Sequence, residues 1–410
     1  MQKTTKLKKL EEILLFLTLL FLPTQLGKHF WPTFSYIYSL KIDYLSPTVY
    51  FWDLLAVTLL LVWVLTRPKI NKVALNLFFL FLLSQALSLF SAANLGAGLV
   101  RMEQYGVAGL FGVFLASSDF NSLRKKIYLP LALGILTESV LAILQFVKGG
   151  HLGFWILGER AFSITTPAIA KFDFQGRQLL RPYATFPHPN VLAGFLLLGI
   201  SVLYQLLKER KILISLVSIL GGVAVFLAMS RTVILAGIVL VAVLLKRNWL
   251  ILIGIALLVV SPVLFTRFAS ILNFDNLTLL RREQLIGNAW EIFLKSPVFG
   301  TGLNSFIPTI SSTLLTGPSR FLQPVHNIFM LSLAETGLVG FFGLLFLIGY
   351  PIWKMYKVKF TMYNSLPWFI IIFLGMFDHY FLTLPQGYRL LFLVWGLSFS
   401  FLALHSNTRS

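Results

Sequence analysis

Three short stretches carry side chains able to do chemistry in a chain with no cysteine. The first runs from Gln323 to Asn327, where a long polar segment stops and a strongly apolar run begins. An imidazole titrates near neutrality, so His326 at such a water-membrane boundary can take a proton from a hydroxyl, and Asn327 can orient either the ring or that hydroxyl. The same position equally suits a histidine that only tolerates the headgroup region. The second stretch, Arg181 to Asn190, has Arg160 and Arg177 upstream and holds His188 between Pro187 and Pro189. Proline on both sides denies a helix there and predicts Asn190 as the cap of the helix that follows. His188 then reads either as a functional group or as a ring filling space at a rigid bend. The third stretch is Ser230-Arg231-Thr232, where one apolar run ends and another begins with almost no loop. A guanidinium forks onto phosphate oxygens as an ammonium cannot, whereas snorkelling to lipid headgroups is the competing reading of Arg231. Ionisable groups also fall inside apolar runs: Arg101, Glu103, Glu335 and the pair Asp378-His379. Their cost in hydrocarbon implies either pairing or function. Arg101 and Glu103 can neutralise each other, but Glu335 and Asp378 have no partner that the sequence identifies. Both are secondary candidates, with His188, Arg177 and Arg101.

These residues need a membrane to position them. Hydrophobic residues make up 57% of the chain and charged ones only 12%, with a mean hydropathy of +0.82, which excludes a soluble globule. The net charge of +19 would point to nucleic acid in a soluble domain, but many basic residues sit in short links between apolar runs, as anchoring against anionic lipid requires. Nucleic acid is therefore not an expected partner. Apolar runs recur at about 13–31, 49–65, 73–91, 98–116, 127–147, 191–207, 212–229, 232–245, 249–265, 327–350, 366–384 and 388–404, which predicts about twelve transmembrane helices. The N-terminal run follows Lys3, Lys6, Lys8 and Lys9 like a signal peptide, but no small-residue cleavage site follows it. It reads as a retained first span. Counting from a cytoplasmic N-terminus, every short inside link is basic, from Arg67, Lys69 and Lys72 through Arg124 to Lys126, Lys208 to Lys211 and Lys246-Arg247, to Lys354 to Lys359. That pattern places both termini inside. The expected architecture is a single all-α, polytopic integral membrane domain over residues 1–410, with two long extracytoplasmic loops at 148–190 and 266–326 that contain short amphipathic helices. In the second loop Leu285, Ala289 and Phe293, with Ile286, Trp290 and Leu294 beside them, form an apolar stripe at helical spacing after Arg281 and Arg282. A plain cap over the spans at the outer interface is the simplest role for it. Both loops carry more basic than acidic residues, an excess that topology allows but does not require. An anionic substrate outside would require it.

Taken in order, Arg181 through Ala193, Ser230-Arg231, Trp290 through Phe306 and Val325-His326-Asn327 through Gly340 resemble the O-antigen ligase and polymerase superfamily of bacterial envelope glycosyltransferases. The similarity spans about residues 150–345. The resemblance implies a metal-independent, cofactor-free enzyme of the multi-span glycosyltransferase type (GT-C-like) in the bacterial cytoplasmic membrane, with its site on the outer face. It implies transfer of a glycan from an undecaprenyl diphosphate carrier to a hydroxyl of a glycan, lipid or protein acceptor. On this chain it makes Arg181 and Arg231 diphosphate ligands and His326, with Asn327, the group that activates the acceptor. The family also contains polymerases, protein-glycosylating enzymes and proteins described as bicarbonate transporters. Elementary chemistry agrees with transfer: preorganised arginines in a water-poor site can stabilise a leaving diphosphate much as a metal would. No acidic pair with metal-ligand spacing stands in the external loops, so the arginines are the expected charge clamp and no metal is expected. A transporter would instead need a polar path, for which Arg101, Glu103, Glu335 and Asp378 are the available fragments.

Overall fold

The computed structural model describes residues 2–207, 210–244, 277–311, 322–359 and 361–406, together with 254, 261, 262, 265, 268 and 269. The apolar run at 249–265 thus lies almost wholly outside the described residues. The remainder is mostly helical: α1 (Gln2–Leu20), α2 (Phe51–Leu65), α3 (Lys72–Leu87), α4 (Leu95–Ala116), α5 (Phe120–Lys148), α6 (Pro189–Leu206), α7 (Lys211–Leu227), α8 (Arg231–Leu244), α9 (Leu277–Lys295), α10 (Phe306–Ile310), α11 (Ile328–Lys359), α12 (Met362–Gly375), α13 (Tyr380–Thr383) and α14 (Pro385–Ser406). Five stretches are long and apolar enough to cross a membrane, namely Lys72–Ser91, Phe120–Lys148, Pro189–Leu206, Ile328–Val358 and Pro385–His405. Shorter apolar helices are Phe51–Leu65, Lys211–Leu227, Arg231–Ala242 and Asn364–Gly375. This is the architecture of an all-α membrane protein.

Many helices are apolar all round, as membrane spans are. Along α2 the residues Trp52, Ala56, Leu59, Val62 and Trp63 are buried, while Leu54, Leu61, Val64 and Leu65 face outward. Helix α14 runs against α4, α11 against α3, and α5 against α7. The α4/α14 crossing is close because Gly112 and Gly396 face each other there: a Cβ on Gly396 would collide with the Gly112 carbonyl, and one on Gly112 with the Phe392 carbonyl. Without a hydrophobic drive between helices in lipid, such backbone proximity is a main source of adhesion. Arg389, fully buried in α14, gives Nη2 to Asp53 of α2 at 3.3 Å and Nη1 to the Thr24 carbonyl at 3.2 Å. It also lies over the Trp52 ring at 4.4 Å.

The segments between the helices depart from the sequence expectation in three places. The first apolar run does not continue to residue 31. Helix α1 ends at Leu20, before Pro23, and the chain then builds small antiparallel pairs, β1 (Gly27–His29) with β4 (Thr48–Tyr50) and β2 (Tyr36–Ile37) with β3 (Leu40–Lys41). The first long loop contains no amphipathic α-helix. It is organised by a hairpin of β5 (Lys171–Phe174) and β6 (Arg177–Leu180) and by polar side chains that satisfy its backbone. Glu159 accepts the amide protons of Leu152, Gly153 and Phe154 at 2.6 to 2.7 Å, which overcome its partial burial and lower its pKa. In the second loop the amphipathic helix is present as α9, but its buried stripe is Leu285, Ala289 and Ile292 rather than Phe293, and it packs on α11. Ile286, Trp290 and Leu294 remain exposed, as suits a helix lying at the interface with one apolar side to protein and another to lipid.

Helix α11 is two helices joined at Gly337, whose φ of 60° and ψ of −162° are not helical. The backbone groups freed by the break are taken up by the segment after α9. Leu338 and Val339 donate to the carbonyls of Pro297 and Val298 at 2.8 and 3.2 Å, while Thr301 and Gly302 donate to those of Ala334 and Glu335 at 3.0 and 2.8 Å. Irregular backbone inside a membrane protein persists only when protein satisfies it in this way. The glycines of the two segments meet there, since a Cβ on Gly300 or Gly337 would collide with the opposing main chain.

Candidate active site

His326 stands in the short irregular stretch that leads into α11, and its Nδ1 lies 3.6 Å from Oδ1 of Asp378. The eleventh apolar run supplies that aspartate by breaking: α12 stops at Gly375, and Asp378 and His379 occupy the bend before the short α13. The separation is just beyond hydrogen-bond length, and Nδ1 is buried without a hydrogen-bond partner among the described residues. Nδ1 therefore faces the carboxylate, and Nε2 is left as the nitrogen for a substrate. Burial pushes the Asp378 pKa up, but His326 first, then His379 and His188, overcome this and hold it well below the usual carboxylate range. The His379 ring lies tilted by 40° at 5.0 Å from that of His326, and its Nδ1 is fixed by the Thr383 hydroxyl at 2.6 Å. Burial lowers the His379 pKa to about 3 despite the attraction of Asp378. Tyr44, from the outer segment between α1 and α2, meets the far side of His379 edge to face at 5.6 Å.

A second group arrives from the first loop. His188, not Asn190, caps α6: its Nδ1 accepts the amide proton of Asn190 at 3.1 Å, with Pro189 in the first helical turn. A lone pair used this way is incompatible with a proton on Nδ1, and burial followed by the Arg181 charge pushes the His188 pKa down to about 3. Asn190 instead accepts from Arg181 Nη2 at 2.6 Å, and Arg181 Nε donates to the Ala228 carbonyl at 2.7 Å. Arg181 thus ties the loop to the turn between α7 and α8. The loop is itself held by α5. Glu138 accepts from the Thr185 amide and hydroxyl at 3.0 and 2.8 Å, and Gln145 Oε1 accepts from Tyr183 and Ala184 at 3.0 and 2.7 Å.

The arginine side closes the constellation. Three residues, Ala228 to Ser230, reverse the chain between α7 and α8, with Met229 at a φ of 49°, so Arg231 begins α8 at the same boundary. Arg282 of α9 lies within electrostatic reach of Arg231, and its charge also acts on His188 and His379. Its Nε is buried and has no partner among the described residues. Like charges are gathered here at a cost that an anion would relieve.

Arg181, His188, Arg231, His326 and Asp378, distant in sequence, are therefore brought to one region. The other sequence candidates serve different ends. Asn327 caps α11, accepting from Phe329 and Met330 at 2.9 and 3.0 Å and donating to the Met376 carbonyl at 3.0 Å. It pins the strand bearing His326 to the end of α12 rather than touching the ring. Arg101 is not paired with Glu103: it donates to the Thr383 carbonyl at 2.8 Å and to Asn304 Oδ1 at 3.4 Å. Glu335 accepts from the Phe306 amide at 3.1 Å and helps clamp the segment after α9. Arg177 is exposed at the tip of the β5/β6 hairpin, away from the cluster. Arg282 and His379 stand out in the sequence, one before an amphipathic stripe and the other inside an apolar run, but neither is singled out there as a site residue.

His326, Asp378 and His379 also form a set with possible metal-ligating atoms all within 4.8 Å of one another. Bonds of about 2.0–2.1 Å to one zinc ion would draw such atoms to roughly 3–3.5 Å apart. The Thr383 contact engages only His379 Nδ1 and leaves Nε2 free, whereas the Arg282 charge nearby disfavours a cation.

No curated protein matches the chain. The O-antigen ligase family model matches residues 216–345, a stretch that contains Arg231, Arg282, His326 and Asn327 and leaves Arg181, His188 and Asp378 outside. Over that stretch, about a third of its length, this multi-pass membrane protein is similar to the O-antigen ligase family, a likeness that supports a ligase or polymerase type of function in general.

Proposed function

We propose that the protein moves a glycan from an undecaprenyl diphosphate carrier to an acceptor hydroxyl on the outer face of the cytoplasmic membrane, within a fold of about twelve spans with both termini inside. The carrying observation is the convergence of the His326-Asp378 pair with Arg231 and Arg282, from separate segments, at a helix boundary rich in positive charge. In the proposed step the acceptor oxygen forms a bond to C1 of the first sugar as the C1 to phosphate-oxygen bond breaks. Nε2 of His326 receives the hydroxyl proton, Asp378 stabilises the resulting imidazolium, and the bond electrons leave with undecaprenyl diphosphate. Arg231 and Arg282 neutralise that leaving group, an effect worth several kcal/mol in a water-poor site. Arg181, with two of its donors already given to protein, acts mainly by fixing the loop and adds charge from behind. A ligase and a polymerase share this step and differ in the acceptor.

The test is reconstitution. Purified protein given an undecaprenyl diphosphate-linked oligosaccharide and a candidate acceptor should yield a new glycosidic bond of inverted anomeric configuration, with free undecaprenyl diphosphate as the second product. A product of retained configuration would exclude the single displacement. Donor consumed by water alone would exclude the acceptor role.

A further inference from the structure

Beside the histidines lies a polar cavity that the reaction described above does not use. Its volume of about 150 Å³ equals that of about five water molecules at roughly 30 Å³ each, the scale of one sugar ring rather than a chain. Tyr44, Pro187 and Thr383 are part of its wall. These are the residues that pack on His379, precede His188, and hold His379 Nδ1, so the cavity backs directly onto the cluster. Neither Arg231 nor Arg282 lines it.

What it offers is chemically narrow. Gln386, with no solvent exposure, lines it with both amide atoms lacking a hydrogen-bond partner among the described residues, and Gln104 Oε1 on helix α4 is likewise buried and unpartnered among them. Leaving such atoms unmatched costs about 1–3 kcal/mol each, so a ligand bearing both donors and acceptors is favoured. The buried arginine of the lining already has acceptors within the protein, and the exposed one faces an opposite charge. Arg101 is given to the Thr383 carbonyl and Asn304, and Arg160 pairs with Asp43 at 3.7 Å. Tyr50 adds an aromatic wall to that of Tyr44. Amides that read hydroxyls, aromatic faces for C–H surfaces and a buried arginine whose donors are already engaged by protein oxygens describe an uncharged sugar.

We propose that this cavity seats one neutral sugar ring of the acceptor, next to the hydroxyl that His326 deprotonates, while the donor diphosphate lies on the Arg231 and Arg282 side. The assignment of acceptor rather than donor rests on the transferase reading; the binding of a neutral sugar does not. Detergent-solubilised full-length protein is examined by saturation-transfer NMR with the methyl glycosides of glucose, galactose and N-acetylglucosamine, and with glucose 6-phosphate as the charged control. At least one neutral glycoside should bind with an affinity near the millimolar range that a single ring supports, and the phosphate ester should not gain affinity. Gln386→Leu and Gln104→Leu, on opposite walls, should each weaken that binding about ten-fold or more, while His326→Ala should leave it unchanged. In transfer assays the glutamine variants should raise the acceptor KM and leave the donor KM as it was. Absence of binding by all three glycosides, binding that both glutamine variants leave intact, or preference for the phosphate ester would overturn the cavity assignment. Neutral-sugar binding with no transfer would count against the reaction and leave the cavity standing.

Discussion

The cationic side chains of the cluster differ in what they already hold. Arg181 has given Nε and Nη2 to Ala228 and Asn190, whereas Arg282 Nε is buried and unpartnered among the described residues. Lysine keeps the charge but loses the fork. Arg231→Lys and Arg282→Lys should therefore each reduce transfer by about one to two orders of magnitude and weaken donor binding, the equivalent of roughly 1.4–2.8 kcal/mol. Steady-state kinetics with varied donor checks this, and near-normal rates in both would leave only a general electrostatic role. His188 makes a different prediction. Its imidazole binds a proton near pH 6.5 when unfolded but only at about 3 when folded, so the unfolded chain holds more protons between these values. The stability from this group is full above about pH 6.5 and is lost as pH falls toward 3. His188→Asn keeps a capping acceptor without the titration and should flatten the fall in Tm from pH 7 to 5, whereas His188→Ala should cost about 1 kcal/mol at neutral pH. Thermal unfolding in detergent at several pH values distinguishes the two. His326 and Arg231 were legible as candidates because each stands where an apolar run starts. Asp378 was legible only as an unpaired charge, since its partner lies far away in sequence.

At the scale of elements, the decisive feature is the break at Gly337. The spacing of glycines after His326 could be read in the sequence, but a long apolar run gives no sign that another segment is stitched into it. That join depends on backbone groups of Pro297 to Gly302, and backbone leaves no compositional trace. Gly337→Ala would put a Cβ against the main chain of Val298 at a φ of 60°, a region costing other residues about 1–3 kcal/mol before any clash. It should lower Tm and reduce activity through displacement of the segment that carries α9 and Arg282. Gly349→Ala, in the same helix but facing open space, should do neither. Equal behaviour of the two variants would mean that the break plays no organising role. The hairpins between α1 and α2 had a local signal, since Pro23, Thr24, Gln25, Gly27, Lys28 and His29 interrupt the run, but Leu26, Phe30 and Trp31 prolong its apolar character past that stop. The Arg389 to Asp53 pair is another contact between distant helices that local patterning cannot reveal.

At the scale of the whole molecule, the membrane class was legible because composition and charge placement respond to lipid directly. Span count was less so, because short runs such as 232–245 sit at the lower limit of membrane thickness. The proposed orientation puts the β5/β6 hairpin outside and the link between α2 and α3 inside. Gln178 and Lys69 are exposed at those places. A cysteine replacing Gln178 should react with an impermeant thiol reagent in intact cells, and one replacing Lys69 should react only after the membrane is opened. Labelling of the Lys69 variant alone in intact cells would reverse the topology and take the candidate site to the wrong side for an external acceptor.

The central claim is that His326 acts as a base on an acceptor hydroxyl, and its most direct test is a paired measurement on folded His326→Ala protein. A base acts mainly in the transition state, so removing it should lower the transfer rate by about two or more orders of magnitude while donor-lipid binding stays within a few-fold of the unaltered protein. The account predicts that split, slow transfer with intact donor affinity, at pH 7 in detergent or lipid discs. Transfer by His326→Ala at the unaltered rate would contradict it and return His326 to an interfacial ring beside Asp378.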